Sequence, residues 1–149
     1  LQWCDTLVGP MIIAADQTHL HLLEFVDCRA LPREMQKLHR ACRGNIGFGV
    51  TKIIEKAELQ LTEFFAGQHP ICVLPLAVPG TEFTKRVWRV LCDIPAGQTR
   101  RYAQLAQMIE NPTATRAVAR ANSTNQIAII IPCHRVIGAD GSLTVYGGG

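Results

Sequence analysis

The stretch "ICVLPLAVPG", Ile71 to Gly80, limits how this chain folds more than any other feature. Pro75 and Pro79 each remove a backbone donor and stiffen the chain, so neither a helix nor a central strand runs through it. It reads as a linker with some strand character. The expected division is an N-terminal lobe over residues 1–70, a linker over 71–80 and a C-terminal domain over 81–149. A chain of 149 residues, 48% apolar, suits one domain or two small lobes sharing an interface, with enough apolar residues for a core.

The patterning differs on the two sides. "GPMIIAAD" and "THLHLLEFVD" read as two strands around a polar turn at Asp16–Thr18. Leu31 to Arg43 is helical, with Pro32 in the first turn and Leu31, Met35, Leu38 and Cys42 on one face. After the Gly-rich "GNIGFG", residues Ile53, Ala57, Leu61, Phe64 and Phe65 recur at helical spacing until Gly67 and Pro70. Beyond the linker, Thr81 can cap a helix whose Phe83, Val87, Trp88, Leu91 and Ile94 form a stripe. Two short helices follow, Tyr102 to Ile109 and Thr113 to Ser123, with a turn signal at Asn111–Pro112. They fit either a helix-turn-helix, with small Ala side chains facing a groove, or a packed helical hairpin with surface arginines. "QIAIII" reads as a short buried strand, and "VIGADGSLTVY" as a hairpin turning at Asp140–Gly141, a wing beside the helices. The class is α+β.

Charge divides with the lobes. Residues 1–78 carry a net −1 and residues 79–149 a net +4. Basic character therefore sits in the half that could meet phosphate, although +4 alone is also ordinary solvated surface. The six cysteines (4, 28, 42, 72, 92 and 133) form no C-x-x-C pair and are irregularly spaced. That argues against a zinc site or a disulfide framework and for a reducing compartment. No apolar run approaches the roughly 20 residues of a membrane span, and no signal sequence opens the chain. The expectation is a soluble protein. Leu1 and the closing "TVYGGG" read as the ends of a fragment.

One segment carries chemistry. "IIIPCHRVIGADG", Ile129 to Gly141, sets Cys133 after a proline and before His134 and Arg135. A cysteine among apolar residues is commonly inert packing. Against that, Pro132 fixes the entering backbone, His134 supplies a base or a cation, and Arg135 favours thiolate. In an extended segment, successive side chains point to opposite faces, so His134 would take the Cys133 proton through a bridging water. Hydrolysis by a Cys/His pair is the weaker enzymatic reading, since such pairs usually converge from distant segments.

"IPCHRVIG", preceded by "RAVARANSTN" and "RYAQLA", resembles the O6-alkylguanine-DNA alkyltransferases, the methylated-DNA–protein-cysteine methyltransferases. The likeness is strong over residues 80–149 and looser in the N-terminal lobe, where "LVGPMIIAAD" and "LTEFFAGQ" resemble the family's hairpin and the helix before its linker. It implies an RNase H-like N-terminal lobe and a C-terminal domain with helix-turn-helix and winged hairpin. The implied activity is DNA repair by direct, irreversible, single-turnover transfer of an alkyl group from guanine O6 to Cys133, with O4-alkylthymine a further candidate substrate. The damaged base would be rotated out of the duplex from the minor groove.

On that resemblance Cys133 is the acceptor and His134 its water-mediated base. Tyr102 assists base rotation at the phosphate and offers a proton to the departing guanine, and Asn125 ties the recognition helix to the active-site segment. Arg116 intercalates, with Arg120, Arg135, Ala117 and Ala121 also at the DNA. Val136 and Tyr146, Gly147 and Gly148 wall the pocket. Val145 stands where bacterial members commonly have glycine, which is expected to narrow the loop. The family continues past the Gly-rich loop into a helix whose glutamate orients the histidine; a chain ending at Gly149 is expected to transfer slowly. No cofactor is implied. The few Cys and His of the first lobe (Cys4, His19, His21, Cys28) do not match the zinc pattern of some members, so no metal is expected. The expected partner is double-stranded DNA containing O6-alkylguanine, with no membrane and a monomeric protein that in its native form is fused to a regulatory domain in some members. The expected location is cytoplasmic in a bacterium or nuclear in a eukaryote. The competing reading is a non-catalytic module that binds alkylated DNA or regulates transcription.

Overall fold

The structure, a computed structural model, describes residues 1–68 and 74–142. The chain divides after Ala77 into two compact units, within the segment read as linker.

The first unit is built on a three-stranded antiparallel sheet, order β1-β2-β3, of β1 (Gln2–Thr6), β2 (Gly9–Ala15) and β3 (Leu20–Phe25). Two of these strands are the expected pair. Their connection is an Asx turn, in which Asp16 Oδ1 accepts from the backbone N–H groups of Thr18 (2.6 Å) and His19 (2.7 Å). β1 is an addition to the sequence reading. It lies at the sheet edge, pairs only with β2 and buries no residue fully, so its sequence lacks the apolar alternation that marks a strand.

The sheet's register places Ala14 opposite Leu22, and Ile12 opposite Glu24, on one face. Helix α1 (Leu31–Ala41) packs there: Leu38 joins Ala14 and Leu22 in a core, flanked by Leu31, Met35 and Cys42. This is the helical face read from the sequence. Glu24 and Glu34 meet in the same layer. Both are buried, and burial pushes both carboxyls up, with the charge of Asp27 adding to it at Glu24 and that of Glu24 adding to it at Glu34, which reaches about 7. Helix α2 (Lys52–Phe65) starts at Thr51, whose Oγ1 accepts from Ile54 N–H at 3.3 Å, and packs against β1 and β2.

The segment read as linker meets β3. Leu20 N–H donates to Pro75 O (2.9 Å) and Ala77 N–H to Leu20 O (2.8 Å), forming a parallel bridge between Leu20 and Leu76. This segment therefore belongs to the first unit, because β3 offers it backbone partners that no local pattern reveals.

The second unit packs α3 (Glu82–Cys92), α4 (Tyr102–Met108) and α5 (Thr115–Ser123) together. Thr81 Oγ1 caps α3 by accepting from Thr84 N–H, and Val87, Trp88, Leu91 and Ile94 are buried, with Phe83 partly so. Trp88 Nε1–H donates to Ala121 O at 3.0 Å, fastening α3 to α5. A tight connection over residues 109–114, with Glu110 at φ +59°, joins α4 to α5. A two-residue strand β4 (Arg100–Arg101) precedes α4 and pairs in parallel with β5 (Val136–Ile137).

One expectation is corrected. "QIAIII" is mostly a turn: Ile131 N–H donates to Ile127 O at 3.1 Å and Ile130 N–H to Ala128 O at 2.8 Å. Its aliphatic composition reflects burial of Ile127, Ala128 and Ile131, which periodicity cannot separate from a strand. Val136–Ile137 pairs with β4 and leads into the expected turn. The turn at Asp140–Gly141 does form, with Asp140 Oδ1 accepting from Ser142 N–H (3.0 Å) and Oγ–H (2.6 Å); the proposed return strand lies outside the described residues. No helix among the described residues is long and apolar enough to cross a membrane.

Candidate active site

Cys133 opens a single 3₁₀ turn, Cys133–Arg135, entered through two sharp reversals. The first is centred on Ile129, a β-branched residue at φ +69°, a region such residues rarely enter. The second is centred on Pro132 (φ −81°, ψ +61°), across which Cys133 N–H donates to Ile131 O at 2.8 Å. The premise of an extended Pro-Cys-His-Arg segment is therefore replaced. At about three residues per turn, His134 leaves the chain roughly a third of a turn from Cys133.

Asn125 holds this path. Its Oδ1 accepts from Ile127 N–H and its Nδ2 donates to Ile131 O, both at 2.9 Å, so one buried amide spans the strained Ile129 turn. Asn125 follows α5 directly, and that helix thereby registers the cysteine turn. The downstream side is held by Arg135, whose Nη1 donates to Ile94 O at 2.7 Å, and by the β4–β5 ladder. The ladder sets Arg100 beside Val136 and Arg101 beside Ile137, which brings Tyr102, the first residue of α4, to the cysteine turn.

The electrostatics follow from this packing. Tyr102 is buried, and burial pushes its phenol up; an Asn122 hydrogen bond works the other way, and charge on Cys133 opposes ionisation further. His134 is partly buried, which pulls its imidazole below the ordinary histidine range, with the Arg135 cation adding to the effect. It is therefore neutral near pH 7 and able to accept a proton. Cys133 remains partly exposed.

The sequence-predicted residues separate into groups. Cys133, His134, Tyr102, Asn125 and Val136 lie on or beside the cysteine turn, with Val136 buried. Arg116, Ala117 and Arg120 share the exposed face of α5. Ala121 does not: it is 5% exposed and faces inward, because residues 118, 121 and 122 form the buried face of that helix. Arg135 is partly buried, and its Nη1 donates to Ile94 O. Tyr146, Gly147, Gly148 and Val145 lie outside the described residues. The sequence reading missed Asn122, a polar residue at a position of α5 where spacing predicts an apolar one; that mismatch was the available signal.

Of the histidines considered for metal, His21 Nε2 lies 2.8 Å from Asp16 Oδ2, and His19 Nδ1 lies 2.8 Å from Thr18 Oγ1. Among the described residues no group of three or more His, Cys, Asp or Glu could hold a metal ion.

Residues 82–149 match the family model described as "6-O-methylguanine DNA methyltransferase, DNA binding domain". A methylated-DNA–protein-cysteine methyltransferase of Mycobacterium leprae is 43% identical over 97% of this chain and 82% of its own length. That of Methanosarcina barkeri is 40% identical over 97% of this chain and 86% of its own. The chain belongs to the methylated-DNA–protein-cysteine methyltransferase family. Its fold agrees. The crystal structure of Mycobacterium tuberculosis OGT in complex with DNA superposes with a TM-score of 0.81 at 38% identity, covering 99% of this chain and 83% of that one. A Pyrococcus kodakaraensis O6-methylguanine-DNA methyltransferase shares the fold at 23% identity and a TM-score of 0.67, over 99% of this chain and 90% of that one.

Proposed function

We propose that this methyltransferase repairs DNA by moving an alkyl group from O6 of guanine in a duplex onto Cys133 Sγ, once per molecule. The observation that carries the reading is the convergence of a partly exposed Cys133 with buried Tyr102, held together by the β4–β5 ladder and the Asn125 clamp. Neutral His134 takes the thiol proton through a water molecule. The thiolate lone pair forms the new S–C bond, the C–O6 bond breaks, and its electron pair passes to the guanine. Tyr102 donates its phenolic proton to that base, so that a neutral guanine leaves; the proton held by His134 returns to the tyrosinate through solvent. The thioether formed is stable, which makes the transfer irreversible.

A guanine O6 paired inside a duplex cannot reach Sγ, so the base rotates out through the minor groove, with Arg116 filling the vacated stack and Arg120 and Ala117 beside it. Their common exposure on α5 supports this reading. O4-alkylthymine would react by the same displacement. Val136 contributes to the pocket wall.

Intact mass after incubation with duplex containing O6-methylguanine tests the proposal. One methyl is expected on Cys133, at most one per chain, and none in Cys133→Ala. Tight binding without a mass change would establish a binding module instead, and release of product over many cycles a hydrolase.

A further inference from the structure

We propose that Asn122 is a positioning residue for the proton donor: its amide N–H donates to the Tyr102 oxygen, so the contact orients the phenol without drawing on its hydrogen. This rests on the alkyl-transfer reading above.

Asn122 is 3% exposed and shares the buried face of α5 with Val118 and Ala121. An amide in that position is disfavoured unless both ends are used. Only one end is matched. Nδ2 donates to Tyr102 Oη at 3.5 Å, a long bond of the kind that shortens when a catalytic group becomes charged, while Oδ1 has no hydrogen-bond partner among the described residues. Retaining a buried, half-matched amide against the tyrosine is a loss for folding alone, and its geometry points to chemistry.

A phenol has one hydrogen to give and lone pairs to receive. Because Asn122 donates, the phenolic hydrogen is not spent on it; a group accepting at the same place would compete for that hydrogen. As the O–H bond breaks and its pair stays on Oη, the Nδ2–H bond becomes charge-assisted and strengthens in a buried site. Cys133 sets the timing. Its thiolate charge opposes a tyrosinate, and that opposition fades as the sulfur lone pair is consumed in the S–C bond. Proton donation is thereby coupled to alkyl transfer rather than preceding it.

The test uses Asn122→Leu, which removes donor and acceptor together, and Asn122→Asp, near in shape but accepting where the wild type donates. Two readouts are needed: the ionisation midpoint of Tyr102 from 13C-tyrosine spectra, assigned by loss of its signal in Tyr102→Phe, and single-turnover transfer from O6-methylguanine duplex. Both variants should raise the Tyr102 midpoint, by about one pH unit for Leu and more for Asp. Transfer should slow by about three- to tenfold with Leu, reflecting a proton partly moved in the transition state. In a Tyr102→Phe background, Asn122→Leu should slow transfer no further. An unmoved midpoint, or an equal slowing with and without the phenol, overturns the assignment; if Leu fails to fold, Asp decides alone on the same criteria. A wild-type chain that gains no alkyl group sinks the transfer reading itself and this role with it, whereas a reactive wild type with an indifferent Asn122 sinks only this one.

Discussion

Asn125→Ala tests whether the site is held by the clamp or by its apolar surroundings. The residue is 7% exposed and makes two hydrogen bonds of 2.9 Å across the Ile129 turn. Their losses are unequal. Ile131 O keeps a donor, since Cys133 N–H reaches it at 2.8 Å, so that side forfeits about 1 kcal/mol, an ordinary net hydrogen bond. Ile127 N–H, on a fully buried residue, loses the side-chain oxygen it donates to, which costs about 1–3 kcal/mol. The sum is about 2–4 kcal/mol. Part of it returns if the turn relaxes, because Ile129 at φ +69° stores about 1–2 kcal/mol. Stability should therefore fall by about 2 kcal/mol, an appreciable share of the roughly 5–15 kcal/mol of a domain. Relaxation would also swing the following residues, so transfer to Cys133 should drop by well over tenfold even where the variant is fully folded. Urea unfolding and single-turnover transfer, measured on the same preparation, separate the two effects. A variant within about 0.5 kcal/mol of wild type and equally fast would show that packing alone sets the turn.

Two further outcomes follow from the charges. Glu34 titrates near 7 in the folded chain because of burial and Glu24, with Arg33 and Lys37 opposing, and near 4.5 unfolded. The native state holds its proton more tightly, so stability should fall as pH rises from about 5 to about 8, by up to about 3 kcal/mol. Glu34→Gln should flatten that fall in thermal or urea melts across the range, and a wild-type stability that rises with pH over it would contradict the argument. Arg116→Ala should slow transfer from duplex far more than from free O6-methylguanine, since only duplex requires extrusion; equal losses on both in single-turnover assays would remove the intercalating role.

Patterns with a short period survived folding intact. The Leu31, Met35, Leu38 and Cys42 face of α1 and the stripe of α3 are set by helical spacing, and both lie in the core as spacing predicts. The family was legible too, through the Pro-Cys-His-Arg run and the Arg-Ala-Val segment before it. What spacing could not separate was a buried turn from a buried strand: "QIAIII" has the composition of a strand, yet the chain reverses over residues 128–130 and is tied to Asn125. Nor could exposure be assigned residue by residue on α5, where Ala117 and Ala121 look alike in sequence and face opposite ways.

The sequence by itself determined the order of the helices and the family, because each depends on residues within a few positions of one another. Tertiary structure decided everything that joins distant segments: the edge strand β1, the anchoring of Leu76 on β3, the bond from Arg135 to Ile94, and the meeting of Tyr102 with Cys133 across the β4–β5 ladder. It also revealed Asn122, whose meaning lies in the oxygen twenty residues away to which it donates. The reason is physical. A backbone or amide group bonds to whatever donor or acceptor packing delivers, and local sequence does not encode which partner that will be.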